Sequence, residues 1–297
     1  MIWLNSVACL RCRKILHAVI RTHCFQNPKI KESGMTHESH GSKASAGAGE
    51  AEAVEVTVVL PAHNEAERIE WAVEETERAL SSFCRRYEII IAEDGSTDNT
   101  AEIARKIAEK RKNVRFMHSD ERLGRGRALN RAFKKAKGEV LAYIDVDLST
   151  DMRHLRELID AIRVEKYDFA TGSRLLKASH TQRSLKREAM SRLYNFLVRL
   201  LLRSKLRDHQ CGFKAFSRDA LFSILDEVED KHWFWDTELL VKAQWRGFKV
   251  KEIPVHWEER SGGTKVKLLK DSISMLSNVL KMWLNERCGE RGKEKGF

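Results

Sequence analysis

From Val54 onward, short apolar runs alternate with longer stretches in which apolar residues return every three or four positions. The short runs are Val54–Leu60, Tyr87–Ala92, Val114–His118, Val140–Ile144 and Asp168–Thr171. They are rich in β-branched residues, which predicts strands. Between the first two, Glu65–Phe83 carries Ile69, Ala72, Val73, Thr76 and Leu80 on one side of a helix. Further helices are predicted over Asp98–Lys112, opened by Ser96 and Asp98 as caps, over Arg125–Lys137 and over Met152–Glu165. Alternation of this kind predicts an α/β fold, a parallel sheet with helices on both faces.

Two later stretches have helical spacing and a mixed character. Between Lys186 and Arg207, Leu193, Phe196, Leu197, Leu200 and Leu201 are interleaved with bases from Lys186 and Arg187 to Arg203, Lys205 and Arg207, and Glu188 is the one acid before Arg207. Nearer the C-terminus, Val266, Leu269, Ile273, Leu276, Leu280 and Trp283 recur at intervals of three and four. Each stripe suits a core face, and each also suits a helix lying on an anionic membrane surface.

Residues 1–53 break the alternation. Ile2–Phe25 is apolar with Arg11, Arg13, Lys14 and Arg21 interspersed and no acid. It reads as a basic amphipathic segment or a dispensable extension. Cys9, Cys12, His17, His23 and Cys24 sketch a zinc site that lacks a second well-spaced pair. Glu38–Ala53, rich in Gly, Ala and Ser, reads as flexible linker. The expected organisation is an extension and linker over 1–53, one domain over 54–284 and a polar tail over 285–297.

Composition narrows the partners. The 297-residue chain is 42% hydrophobic and 33% charged, with a net charge of +11. That charge attracts nucleic acid, lipid headgroups or phosphorylated substrates alike. Six cysteines form no disulfide framework, so a reducing compartment is expected. No apolar run reaches the roughly 18 residues of a membrane-spanning helix.

The chemistry collects where strands end. Val140–Ile144 runs into Asp145-Val-Asp147, two acids one residue apart that can converge on one hard divalent cation such as Mg²⁺. An acidic loop cap is the alternative. Pro61-Ala-His-Asn64-Glu65 follows the first strand: Asn64 can cap a helix, and Glu65 can reach a ribose hydroxyl. Glu93-Asp94-Gly95-Ser96 follows the second, where a carboxylate can accept from a base N–H or a sugar hydroxyl. Gly124-Arg125-Gly126-Arg127-Ala128 lets backbone and two cations approach a diphosphate at a helix start.

In this order, these clusters together with Gly138-Glu139 resemble the inverting nucleotide-sugar transferases of glycosyltransferase family two. Gly172-Ser173-Arg174, Lys186-Arg187, Gln210-Cys-Gly-Phe-Lys214, Trp235-Asp-Thr-Glu238 and Gly263-Thr264-Lys265 are similar to the polyprenyl-phosphate hexose synthases, the dolichyl-phosphate glucosyl- and mannosyltransferases. The resemblance covers residues 54–284. It implies a GT-A nucleotide-diphospho-sugar transferase fold, with a mostly parallel central sheet and flanking helices. It further implies that Pro61, Glu65, Asp94, Arg125, Arg127 and Asp145 bind the donor, and that Asp145 and Asp147 hold Mg²⁺ or Mn²⁺. Arg174, Arg187, Ser191, Arg260 and Lys265 are the implied grip on the acceptor phosphate. Asp236 and Glu238 stand where hydroxyl-directed relatives place a base, so Asp236 joins Asp145 and Asp147 as a candidate catalytic residue.

The expected reaction moves a hexose from a nucleotide sugar to a polyprenyl or dolichyl phosphate, giving a lipid-linked sugar donor for glycosylation. An ionised phosphate oxygen attacks without needing a strong base. Glucose from UDP-glucose is favoured, since Ser149 stands where the mannosyl enzymes carry a glutamine and the Arg260–Lys265 loop is one residue shorter. GDP-mannose as donor and a glycan hydroxyl as acceptor remain alternatives. The expected location is peripheral, on the cytoplasmic face of a membrane. Nucleic-acid binding would leave the ordered acidic clusters unexplained.

Overall fold

The computed structural model describes residues 53–260 and 268–293, without the side chains of 268–272 and 287–293. The amphipathic, zinc and linker readings of residues 1–52 fall outside the described residues, as do Lys265 and Val266.

The elements in chain order are β1 (Val56–Ala62), α1 (Ile69–Ser81), β2 (Tyr87–Glu93), α2 (Thr100–Lys110), β3 (Val114–Met117), α3 (Arg125–Phe133) and β4 (Val140–Ile144). A single 3₁₀ turn (Met152–His154) then leads into α4 (Leu155–Arg163), followed by β5 (Phe169–Ser173), β6 (His180–Gln182) and α5 (Leu185–Leu202). The chain continues through β7 (Phe213–Ser217), α6 (Arg218–Leu225), α7 (Trp235–Trp245), β8 (Val250–Pro254), β9 (His256–Glu258) and α8 (Leu268–Lys293).

The main sheet has the order β3-β2-β1-β4-β7-β5-β8. β1 pairs in parallel with β2 and with β4, and β2 with β3. The first half is the parallel sheet that the alternating pattern predicts. β7 departs from it, lying antiparallel between β4 and β5 with Ile144 opposite Phe213. Its apolar run is broken by Lys214, so no strand pattern marks it. β6 and β9, three residues each, form a separate parallel ribbon and are likewise too short to read from sequence.

Side-chain parity sorts the core into two layers. Val56, Val58 and Leu60 of β1 and Ala142 and Ile144 of β4 face α1, α2 and α4. Val59 of β1 and Leu141 and Tyr143 of β4 face α3, α6 and α7. Parity along β4 therefore aims Tyr143, and Asp145 just beyond it, towards the start of α3. A third cluster joins Val198 and Leu202 of α5 to Val241 of α7 and Val279 of α8.

Two local expectations change. α1 begins at Ile69, and Asn64 does not cap it: its backbone is left-handed (φ 54°) and its Oδ1 accepts from Thr97 N at 2.8 Å, tying the loop after β1 to the loop after β2. α8 continues to Lys293, through the stretch expected as a polar tail. Among the described residues, no helix is long and apolar enough to cross a membrane.

Candidate active site

The carboxyl ends of β1, β2 and β4 open into one cleft of about 300 Å³, at the point where strand order reverses and α/β sheets bind ligands. At one end it is walled by Pro61, Glu65 and Asp94. Asp145 and Asp147 line its middle, and Arg174, Ser191 and Trp257 line the far end.

The first end is fixed by backbone. The buried Asp94 carboxylate accepts from Leu123 N at 2.7 Å and Gly124 N at 2.9 Å, closing the loop before α3 onto β2. Gly124 adopts φ +99°, and any side chain there would overlap His232. Glu65 lines the cleft, and its amide donates to Thr100 Oγ1 at 2.7 Å. Arg68 and Arg122 line the same end, and sequence reasoning passed over both. Arg127 is exposed on the side of α3 away from the cleft, because it lies two residues past Arg125 on a helix. Arg127 therefore does not face the cleft, contrary to its expected place on the diphosphate.

The middle is a charged network. Arg125 lies over the Tyr143 ring (4.9 Å to the centroid), with Nη2 2.7 Å from Asp145 Oδ1 and Nη1 2.7 Å from Asp236 Oδ2. Tyr143 Oη donates to Asp236 Oδ1, and the fully buried Lys214 ammonium stands 3.2 Å from the same oxygen. Burial alone would raise the Asp236 pKa, but Lys214 and Arg125 reverse that and hold it below the ordinary carboxylate value. Burial would likewise lower the Arg125 pKa, and Asp145 and Asp236 raise it well above normal instead. Asp145 is pushed up by burial, with Arg125 opposing and Asp147 adding to the rise. Gly212 packs so closely on the Asp145 carboxylate that a Cβ there would overlap it.

Asp147 Oδ1 accepts from Ser149 N at 2.9 Å, within a turn that sets the buried Leu148 at φ 44°. Such strain in a non-glycine residue concentrates at functional sites. Two carboxylates facing a cleft, with positions left for water and phosphate oxygens, are the donor set a hard divalent cation takes. Among the described residues, no group of three or more His, Cys, Asp or Glu gathers as a metal site. Two carboxylates alone fit a cation that completes its coordination with other oxygens, such as those of a diphosphate.

The far end is cationic. Arg174 presents Nε (2.7 Å) and Nη2 (2.9 Å) to the two oxygens of Asp208, which is fully buried. Burial opposes ionisation of Asp208, but Arg174 prevails and keeps its carboxyl far below the usual range. His209, beside it, bonds Asn195 Oδ1 at 2.8 Å and Ser204 Oγ at 2.7 Å. Burial, chiefly, pushes its pKa down to about 3. Ser191 Oγ lies buried at the cleft wall with no hydrogen-bond partner among the described residues.

Two expected phosphate ligands lie elsewhere. Arg187 does not line the cleft and pairs with Glu259, while Arg260 is exposed and stacks on Trp71 of α1, 4.7 Å to the centroid. A residue that sequence reasoning missed, Arg183, does line it. It sits in a run of bases, directly after the three-residue β6, where only burial distinguishes it.

Comparison with known proteins follows the same lines. Residues 57–225 match the model of glycosyl transferase family 2. The glycosyltransferase AglD of Haloferax volcanii is 55% identical over 80% of this chain, which spans 38% of that relative's length. The dolichyl-phosphate beta-glucosyltransferase ALG5C of Trichomonas vaginalis is 32% identical over 80% of this chain and 73% of its own. Among solved structures, glucosyl-3-phosphoglycerate synthase from Mycobacterium tuberculosis with UDP superposes with a TM-score of 0.59 at 21% identity, over 77% of this chain and 80% of that one. The same enzyme with Mn²⁺, UDP and glucosyl-3-phosphoglycerate gives 0.57 at 22%, over 80% of each chain. These likenesses show a GT-A fold.

Proposed function

The chain belongs to glycosyl transferase family 2, and from that premise we propose that it transfers glucose, with inversion, from UDP-glucose to a polyprenyl phosphate. The observation that carries this reading is the state of Asp236. In a transferase acting on a hydroxyl, a carboxylate here would take the acceptor's proton. Asp236 is instead held by Arg125, Lys214 and Tyr143, with its pKa depressed, and makes a poor proton acceptor. A phosphate oxygen arrives already ionised and asks for no base.

Each residue then has a task. Pro61, Glu65 and Asp94 shape the nucleoside end. Arg125, carried by α3 and neutralised by two acids, lies beside the diphosphate position and can turn a donor group to it. Asp145 and Asp147 would hold Mg²⁺ or Mn²⁺, which when bound offsets charge on the leaving nucleoside diphosphate. Arg174 and Ser191 orient the acceptor phosphate for in-line attack at the anomeric carbon. Fixed cations there offset the repulsion between two anionic reactants. Asp236 acts on Arg125, as a positioning residue.

The exposed apolar residues support a lipid acceptor. Leu193, Phe196 and Leu200 of α5 are each more than half exposed, as is Ile273 of α8. Met275, also on α8, lines the same cleft as Ser191. An apolar helix face continuing out of an anion site, flanked by the bases of α5, suits peripheral contact with an anionic membrane. The relative named above as a dolichyl-phosphate beta-glucosyltransferase supports the choice of sugar.

The test supplies purified protein and polyprenyl phosphate with labelled UDP-glucose and labelled GDP-mannose in parallel, with and without chelator. Chelator-sensitive label in lipid from UDP-glucose alone is expected. Label from GDP-mannose alone would overturn the choice of donor.

A further inference from the structure

The geometry points to Arg183 as the residue that, with Arg174 and Ser191, grips the acceptor's phosphate, in place of Arg187. The assignment rests on the function proposed above and concerns the far end of the same cleft.

The first ground is an imbalance of donors and acceptors. Arg183 is nearly buried, its side chain 5% exposed, and it lines the cleft. Its Nε donates to Glu188 Oε2 at 2.6 Å. Nη2 forms an ion pair with that same oxygen at 2.5 Å but, among the described residues, makes no hydrogen bond, so its buried N–H groups can still take an acceptor. Ser191 Oγ, also at the cleft wall, is buried and likewise makes no hydrogen bond among the described residues. Leaving such groups without a hydrogen bond is costly, and at a cleft wall an entering ligand can supply the missing partner.

The second ground is charge. Glu188 is the partner of Arg183, and its other oxygen accepts from Arg192 Nε at 2.5 Å, so one carboxylate is divided between two guanidinium groups. Asp208 is spent on Arg174. Burial, reinforced by the neighbouring positive charge of Arg174, lowers the Arg183 pKa, as expected of two cations facing one space without enough counter-charge. A phosphate monoester bears nearly two negative charges near neutral pH and tetrahedrally placed acceptor oxygens. Arg183 Nη2, the Arg174 Nη1 that Asp208 leaves unused, and Ser191 Oγ are complementary to it. Arg187, by contrast, has Glu259 as a partner of its own outside the cleft.

The experiment compares Arg183→Gln, Arg183→Lys and Arg187→Gln in the full-length protein. It measures transfer from UDP-glucose to a short-chain polyprenyl phosphate, and UDP binding by calorimetry. Arg183→Gln is expected to raise the acceptor KM by about tenfold or more with UDP affinity unchanged. Arg183→Lys restores the charge but not the fork, and falls between the two. Arg187→Gln shifts the acceptor KM by less than about threefold, as expected of an exposed ion pair. The reverse ranking, or equal loss of UDP binding in Arg183→Gln, overturns the assignment. A wild-type enzyme that transfers nothing to the lipid phosphate sinks the functional reading itself, which separates the two failures.

Discussion

The two ends of the cleft are built on opposite plans. The nucleoside end closes on itself: Asp94 takes two loop amides and Asn64 ties two loops together, all on the parallel half of the sheet. The far end is assembled from remote pieces, with Arg174 after β5, Arg183 after β6 and Asp208 in the loop after α5. It also carries donors with no hydrogen bond among the described residues, and exposed apolar residues. The first end is thus preorganised for a ligand of fixed shape. The second awaits negative charge and, beyond it, an apolar chain.

This contrast sets different consequences for removing one acid at each end. Asp208→Ala leaves the Arg174 guanidinium buried without its counter-ion, and is expected to cost about 3–5 kcal/mol of stability. Chemical denaturation checks it, and an unchanged midpoint would break the contrast. Asp147→Ala, open to the cleft, is expected to leave stability within about 1 kcal/mol while lowering transfer by about 100- to 1000-fold. Steady-state rates beside a thermal melt separate the two effects.

The loop that presents Asp208 also makes the far end sensitive to acid. His209 is neutral and buried, packed near Asp208, Lys214 and Arg199, with its pKa at about 3 in the folded chain. An unfolded histidine titrates near about 6.5. The folded value is the lower of the two, so its contribution is full above about pH 6.5 and declines as pH falls towards 3, by about 1.4 kcal/mol per pH unit. A stability profile over that range checks this, and His209→Gln is expected to flatten it.

Much of the nucleoside half was legible in the sequence because its chemistry sits in short loops directly after strands, and each strand announces itself as an apolar run. The register of β4 even predicts that Asp145 and Asp147 share a direction. The far half was not legible in the same way. β7 carries the buried Lys214 in mid-strand, and β6 and β9 are three residues long. Arg183 and Arg187, four residues apart in a basic stretch, differ only in what the fold packs against each. Helical spacing identified the apolar residues of α5 and α8 but not their exposure, since a stripe of leucines reads alike against a core or a lipid.

The smallest expected effect lies on that apolar face. Phe196→Ser with Leu200→Ser removes two exposed side chains, each worth about 1 kcal/mol of contact with an apolar phase. Binding to anionic vesicles is expected to fall by about 30-fold, with transfer to a detergent-dispersed short acceptor changed far less. Equal loss in both assays would contradict a role in lipid-surface contact.

The central claim is that the far end recognises a phosphate that is itself the nucleophile. The most direct measurement offers labelled UDP-glucose with a polyprenyl phosphate, with the same polyprenol lacking its phosphate, and with soluble sugars, following label in each. The account predicts label in the polyprenyl phosphate product alone. Comparable labelling of the polyprenol or of a sugar hydroxyl would contradict it, because Asp236 would then have to serve as the base that its ion network argues against.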